Sequence, residues 1–251
     1  MERFGTHVLQ GERGSGRWLK LAAGEKAEVL GAAMKKAPNP KILELGTYCG
    51  YSALRPREAL ENASVITVEN DPVHAVIAMC LVALAGQSHG VKVLIGHSLS
   101  LLPRLVTAGG RFGGVFMDTR GSRYDQEVAL MIEHDLLAPH AVLVADNVLK
   151  PGTPLFLWLV MRDARFQTQI HAVNEFAMPA KDWISVSIYD PREDGGAPQA
   201  PPELFRLHEA AEEMRTRALS HVRSVTYAEW ARFAQEMPGA TRQRQGGVAC
   251  M

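Results

Sequence analysis

Seven short apolar runs recur along the chain, and most are separated by stretches of helical periodicity. Lys41–Gly46, Val65–Glu69, Val91–Gly96 and Gly114–Asp118 are the first four strands this pattern predicts, followed by Ala141–Asn147, Gln167–Val173 and Trp183–Tyr189. Several are nearly unbroken Val, Ile and Leu, as expected of strands covered on both faces. Helices are predicted over 24–37 and over 72–86, where Asp71 is an N-cap, Pro72 a first helical residue and Gly86 a stop. Alternating β and α elements predict an α/β chain, a mostly parallel seven-stranded sheet with helices on both faces.

Residues 191–202 are rich in Pro and Gly and read as a linker. Beyond it, Leu204, Leu207, Ala211, Met214, Ala218 and Val222 recur at steps of three and four, the apolar stripe of an amphipathic helix. A shorter helix is expected from Tyr227 to Met237 and a disordered end after it. The expected organisation is thus a domain over 1–190, a linker over 191–202 and a C-terminal helical extension over 203–251. The 72–86 helix is apolar almost all round. The expectation is that the C-terminal helices cover it, self-association being the alternative, so the chain is a monomer or weak homodimer.

Composition narrows the function classes. The 251 residues carry 27 Lys+Arg and 27 Asp+Glu, and the neutral balance gives no electrostatic reason to expect nucleic acid or an anionic membrane as partner. Cys49, Cys80 and Cys250 are too few and too far apart for a disulfide framework or a zinc ligand set. No apolar segment approaches a membrane span and the N-terminus lacks an apolar signal core, so a cytoplasmic protein is expected.

The chemistry gathers at strand ends. The first strand runs into Gly46-Thr47-Tyr48-Cys49-Gly50, where Gly46 and Gly50 permit a tight turn and close approach of a ligand. The spacing is neither that of dinucleotide folds nor that of a P-loop. Glu69, at the end of the second strand, suits ribose hydroxyls, which together suggests a nucleoside ligand without a pyrophosphate. A purely structural turn is the alternative. The fourth strand ends at Asp118 and the fifth at Asp146-Asn147, two carboxylates and an amide that suit a hard cation such as Mg²⁺. Capping of the helices that follow is the alternative there.

The segment "ILELGTYCGYS" (42–52), with "VITVEN" (65–70), "VFMD" (115–118) and "LVADNVLKPG" (143–152), resembles the catechol O-methyltransferase family over roughly residues 6–190. Trp18 falls in register with a tryptophan of that family. The resemblance implies a Rossmann-like methyltransferase fold, S-adenosylmethionine as methyl donor and Mg²⁺ as metal, with a small catechol-type acceptor. It implies that Asp118, Asp146 and Asn147 hold the metal. The donor site would comprise Ala22, Glu44, Gly46, Tyr48, Gly50, Ser52, Glu69, Ser98 and Asp118. Asn147, Pro151 and Glu175 would face the acceptor.

Departures from the family pattern bear on the chemistry. Where the family has Asp-His-Trp-Lys, this chain has Asp118-Thr119-Arg120-Gly121, so Gly121 stands in place of the lysine that acts as general base. Lys20 and Lys150 are the nearest titratable replacements, Lys20 being favoured; plain surface lysines are the alternative. Arg120 remains protonated and is expected to stabilise an anionic acceptor instead of acting as a base. His97 is a candidate neighbour of the adenine or a solvated loop residue. Pro56 must lie in the first turn of its helix or remove a backbone hydrogen bond. A methyltransferase-like protein that kept the pocket, lost the reaction and serves as a regulatory or scaffolding partner is the alternative function.

Overall fold

A computed structural model describes residues 1–3, 7, 21–176, 181–193, 195–219, 229, 232 and 233. Seven strands form one sheet: β1 (Lys41–Leu45), β2 (Ser64–Glu69), β3 (Val91–Ile95), β4 (Phe112–Met117), β5 (Leu137–Ala145), β6 (Phe166–Asn174) and β7 (Lys181–Tyr189). Their spatial order is β3-β2-β1-β4-β5-β7-β6. The first five are parallel, and β7 runs antiparallel to both β5 and β6. All seven predicted strands are present within a few residues of their expected limits. The helices are α1 (Glu25–Met34), α2 (Tyr51–Ala59), α3 (Pro72–Leu84), α4 (Ser98–Leu101), α5 (Tyr124–Glu133), α6 (Pro154–Arg162) and α7 (Pro202–Leu219).

Side-chain alternation along the central strands builds two cores, because successive residues point to opposite faces of a sheet. Leu43, Leu45, Val115, Met117 and Leu143 pack with Tyr124, Val128 and Met131 of α5 and with Phe156, Leu157 and Val160 of α6. On the opposite face, Ile42, Phe116, Val142 and Val144 pack with Leu30, Ala33 and Met34 of α1 and Val82 of α3. Asp71 caps α3 as predicted, its carboxylate accepting from the backbone N–H groups of Val73 and His74 at 2.8 and 3.3 Å.

Two expectations need correction, and the alternative left open at Pro56 is decided. The 191–202 segment joins the two regions without strand or helix through 201 among its described residues, but Pro202 already opens α7. Pro56 is the sixth residue of α2, not part of its first turn, and it is buried, so the Ser52 carbonyl receives no helical bond from it. The described C-terminal helix does not cover α3. It packs on α6 and on residues 121–123 and 148–152, burying Leu204, Ala211 and Met214 on the α6 side of the sheet. Val73, Val76 and Leu84 of α3, on the other side, stay exposed. Trp18, Lys20, Val222, most of the predicted 227–237 helix and the end beyond it lie outside the described residues.

Candidate active site

Every strand-end residue singled out by the sequence falls where the backbone leaves the sheet. Gly46 follows β1, Asp118 follows β4, and Asp146 and Asn147 follow β5, so the parallel β1-β4-β5 ladder brings all three exits to one edge. Gly46 has φ +92°, and a Cβ built there would lie 2.3 Å from the Asp118 carbonyl oxygen. The glycine therefore lets two strand exits touch. Glu69 Oε2 accepts from the Thr47 and Tyr48 N–H groups at 3.1 and 2.7 Å, and its Oε1 accepts from Asp71 N–H at 2.8 Å. One carboxylate thus braces the loop after β1 against the start of α3. Ala22, Gly46, Tyr48, Ser52, Glu69 and Asp118 line a single cavity with Leu21, Thr47, Cys49 and Tyr51.

Three of the expected donor-site residues are not in that lining. Gly50 is the residue that caps the start of α2. Ser98, after β3, donates to Glu127 Oε1 at 2.5 Å, and Thr119 reaches the same carboxylate at 3.1 Å, so a buried acid that the sequence did not single out joins two strand exits. Glu44 is buried beneath the loop, accepts from Thr67 Oγ1, and leaves Oε1 without a hydrogen bond among the described residues. Burial pushes its carboxyl up to about 7, above the ordinary 4.5, against the lowering effect of hydrogen bonds from Ser52 and Thr67.

That shift predicts a pH dependence. With the folded-state value raised, the stability linked to Glu44 is fully present below pH 4.5 and is lost as pH rises through 7. Gln at this position stays neutral. Glu44→Gln is therefore expected to gain stability relative to the parent between pH 5 and 8, by up to about 3 kcal/mol. Thermal unfolding of both proteins across that range checks it; a difference that stays constant with pH would contradict the assignment.

The acidic end of the site is organised by a residue the sequence reading passed over. Lys26, in the first turn of α1 and 3% exposed, places Nζ 2.9 Å from Asp146 Oδ2, 2.8 Å from Asp182 Oδ2 and 3.2 Å from Glu175 Oε2. Burial opposes its charge, but the three carboxylates overcome this and hold the ammonium well above the ordinary lysine range. Asp146 Oδ1 accepts from Asn147 N–H at 2.8 Å, while Asn147 Nδ2 donates to Asp182. Asn147 has φ +57°, which turns the chain sharply after β5. Burial raises the Asp118 carboxyl first, and the neighbouring Asp146 charge raises it further. Three carboxylates thus crowd around one ammonium, and Asp118 feels the charge of the nearest of them, Asp146. Among the described residues, no three His, Cys, Asp or Glu side chains are grouped as metal ligands.

The remaining expected residues divide. Glu175 is drawn to the site by Lys26. Pro151 sits in the buried turn 148–152 beside Lys150, whose Nζ donates to the Lys181 carbonyl at 3.2 Å. Arg120 turns toward α7, pairing with Glu212 and donating to Thr216 Oγ1 at 2.9 Å. His97 is paired with Arg123.

A family model for O-methyltransferases matches residues 18–177. The chain is 33% identical to the catechol O-methyltransferase of Mus musculus over 175 residues, which cover 68% of this chain and 66% of that one. It is 35% identical to the Bos taurus catechol O-methyltransferase over 60% of this chain and 56% of that protein. With the transmembrane O-methyltransferase of Homo sapiens it shares 34% identity, over 73% of this chain and 69% of that one. The chain thus spans just under two-thirds of the mouse protein's length and little more than half of the bovine one's. Among solved structures, the Bacillus cereus O-methyltransferase in complex with SAH aligns with a TM-score of 0.62 at 20% identity, covering 68% of this chain and 83% of that one. TomG from Streptomyces achromogenes in complex with SAM aligns at 0.60 and 22% identity, over 68% of this chain and 82% of that one. These two likenesses establish the fold. No helix among the described residues is long and apolar enough to cross a membrane.

Proposed function

Since the chain belongs to the O-methyltransferase family, we propose that it transfers a methyl group from S-adenosylmethionine to a hydroxyl of a small catechol-type acceptor, with Mg²⁺ as the metal. The observation that carries this reading is the position of Asp118. It is a wall of the cavity under the glycine loop and, at the same time, a member of the acidic group at the β5 exit. A donor in the cavity and an acceptor at the acidic group would share that wall, and shared placement supplies much of the rate of a bimolecular transfer.

The donor atoms suit a hard divalent ion. Asp118, Asp146 and Asn147 offer oxygen only, and Asn147 spends Nδ2 on Asp182, which leaves its Oδ1 for a ligand. The crowding of carboxylates around Lys26 is a negative surplus that a divalent cation relieves. Such an ion would act as a Lewis acid, lowering the pKa of an acceptor hydroxyl that otherwise titrates near 10.

The chain's own groups do the rest. Glu69, fixed by three backbone N–H groups, would accept from the ribose of the donor. Tyr48 and Ser52 would line the donor's path. Glu175, held by Lys26, would accept from the second acceptor hydroxyl. Of the two lysines considered for the proton, Lys150 is engaged with the Lys181 carbonyl, which leaves Lys20 as the base in this proposal. Lys20→Met is expected to cost about 10²–10⁴ in turnover and to remove the acidic, ascending limb of the pH–rate profile, the limb along which a general base loses its proton; an unaltered profile would reassign the base.

The direct test is methyl transfer from labelled S-adenosylmethionine to a panel of catechols, run with Mg²⁺ and with EDTA. Magnesium-dependent monomethylated product is expected. Product that forms equally in EDTA would remove the metal from the proposal, and donor binding with no product under either condition would overturn the transfer itself.

A further inference from the structure

Between the loops that leave β4 and β5, the structure holds a guanidinium that comes from the C-terminal helix. Arg215 of α7 donates through Nη2 to the Gly152 carbonyl, at the end of the turn that follows Asp146 and Asn147. The same nitrogen lies 2.7 Å from where a Cβ on residue 121 would stand, three residues after Asp118; Thr153 Cγ2 is 2.6 Å from that point. Any side chain at 121 would have to displace the ends of Arg215 and Thr153 from this arrangement. The Arg215 side chain is 10% exposed, and its nearest carboxylate oxygen across Nη1, Glu212 Oε2, is 3.8 Å away. Nη1 itself is buried and makes no hydrogen bond among the described residues, and the same holds for Arg120 Nε.

The charges in this corner do not balance. Glu212 is drawn most closely to Arg120, so two guanidinium groups share one carboxylate. In a site of low effective dielectric, a positive surplus of this kind acts over several ångströms and favours negative charge nearby. Helix α7 also lies beyond residues 18–177, the part of the chain that the O-methyltransferase model matches.

We propose that α7 forms the acceptor-side wall of the site and that its Arg215 is a specificity-determining residue favouring acceptors with a negatively charged oxygen. This inference rests on the methyl-transfer reading given above. It also moves the preference for anions from Arg120, which Glu212 neutralises, to Arg215. The charged oxygen has two sources, a ring carboxylate or an ionised acceptor hydroxyl.

Calorimetric titration of the full chain, saturated with S-adenosylhomocysteine and Mg²⁺, separates them. If the source is the carboxylate, 3,4-dihydroxybenzoate binds more tightly than dopamine, and Arg215→Met weakens the benzoate about tenfold or more relative to dopamine. If it is the ionised hydroxyl, Arg215→Met raises the apparent pKa of bound 4-nitrocatechol, read from its visible absorbance, by about one unit. Arg215→Lys keeps the charge and is expected to retain most of either effect. Gly121→Ala meets only the flexible ends of Arg215 and Thr153 and keeps the charge, so it is expected to fold and to move both readouts part of the way toward Arg215→Met, which guards against a variant that fails for reasons of folding alone. Equal affinities of Arg215→Met and parent for both acceptors, with nitrocatechol ionisation unmoved, would reduce Arg215 to a clasp on Gly152 and overturn the proposal. Binding of S-adenosylhomocysteine without binding of any acceptor would overturn it too. No binding of S-adenosylhomocysteine would instead bring down the methyl-transfer reading on which it stands.

Discussion

Replacing Lys26 with methionine is expected to destabilise the protein by about 3–5 kcal/mol, the cost of breaking a buried ion network by removing one partner. Methionine matches the volume but leaves Asp146, Asp182 and Glu175 facing one another with no ammonium between them. For a chain of this size the loss corresponds to a fall in Tm of roughly 6–20 °C. Two further variants distinguish the charge from the packing. Lys26→Arg keeps the charge and is expected to recover part of the loss. In Lys26→Met/Asp182→Asn one carboxylate is removed with the ammonium, and the double variant is expected to be more stable than Lys26→Met alone, because the two residues are directly coupled. Thermal or urea unfolding of the set checks this. Additive losses in the double variant would mean that Lys26 acts through packing.

Gly46→Ala is expected to be comparably severe and to strike donor binding directly. The new methyl would meet the Asp118 carbonyl at 2.3 Å, a backbone atom that can move only by displacing the β4 exit, and φ +92° is unfavourable for any residue with a Cβ. Strain of this kind and overpacking each cost about 1–3 kcal/mol, so a combined loss of about 3 kcal/mol or more is expected. The same shift moves Asp118, which lines the cavity, and opens the loop that Glu69 braces. S-adenosylhomocysteine affinity, measured below the melting temperature of the variant, is expected to fall by at least about tenfold. A stable variant with parental affinity would show that the β1 and β4 exits need not touch.

The glycine loop illustrates how far local sequence carries. Two readings of Gly46 were open, a ligand-approach position and a structural turn, and the geometry satisfies the second outright: the glycine is required by the Asp118 backbone whether or not a ligand is present. Its place on the cavity wall supports the first as well. Asp146 is a similar case. Its position at a strand exit was legible, but the sequence read it as a metal ligand or a cap, and the structure adds an ammonium on Oδ2.

Lys26 itself was hidden for a definite reason. In the run Gly24-Glu25-Lys26-Ala27-Glu28, it looks like one more polar residue in the first turn of a surface helix. Its partners lie 120 and 156 positions further along the chain, at the end of β5 and the start of β7. Glu127 was missed in the same way, as an acid in a helical stretch whose contact with Ser98 and Thr119 depends on how α5 docks. The C-terminal stripe announced an amphipathic helix correctly, but periodicity states only that a face must be covered, not by what. The partner turned out to be α6 and the 148–152 turn in place of α3.

What the sequence determined by itself was what short-range periodicity and turn chemistry encode: seven strands, helices between most of them, the tight turn at Gly46, and the oxygen-bearing residues placed at the strand exits. These depend on neighbours within a few positions, where side-chain direction and backbone freedom are fixed locally. Only the tertiary structure decided which charges meet. The ammonium of Lys26 among three carboxylates, the Glu127 link and the Arg215 guanidinium over Gly121 each join segments that are distant in the chain. A buried ion is tolerated only where partners from such segments converge on it, and that convergence is a property of packing.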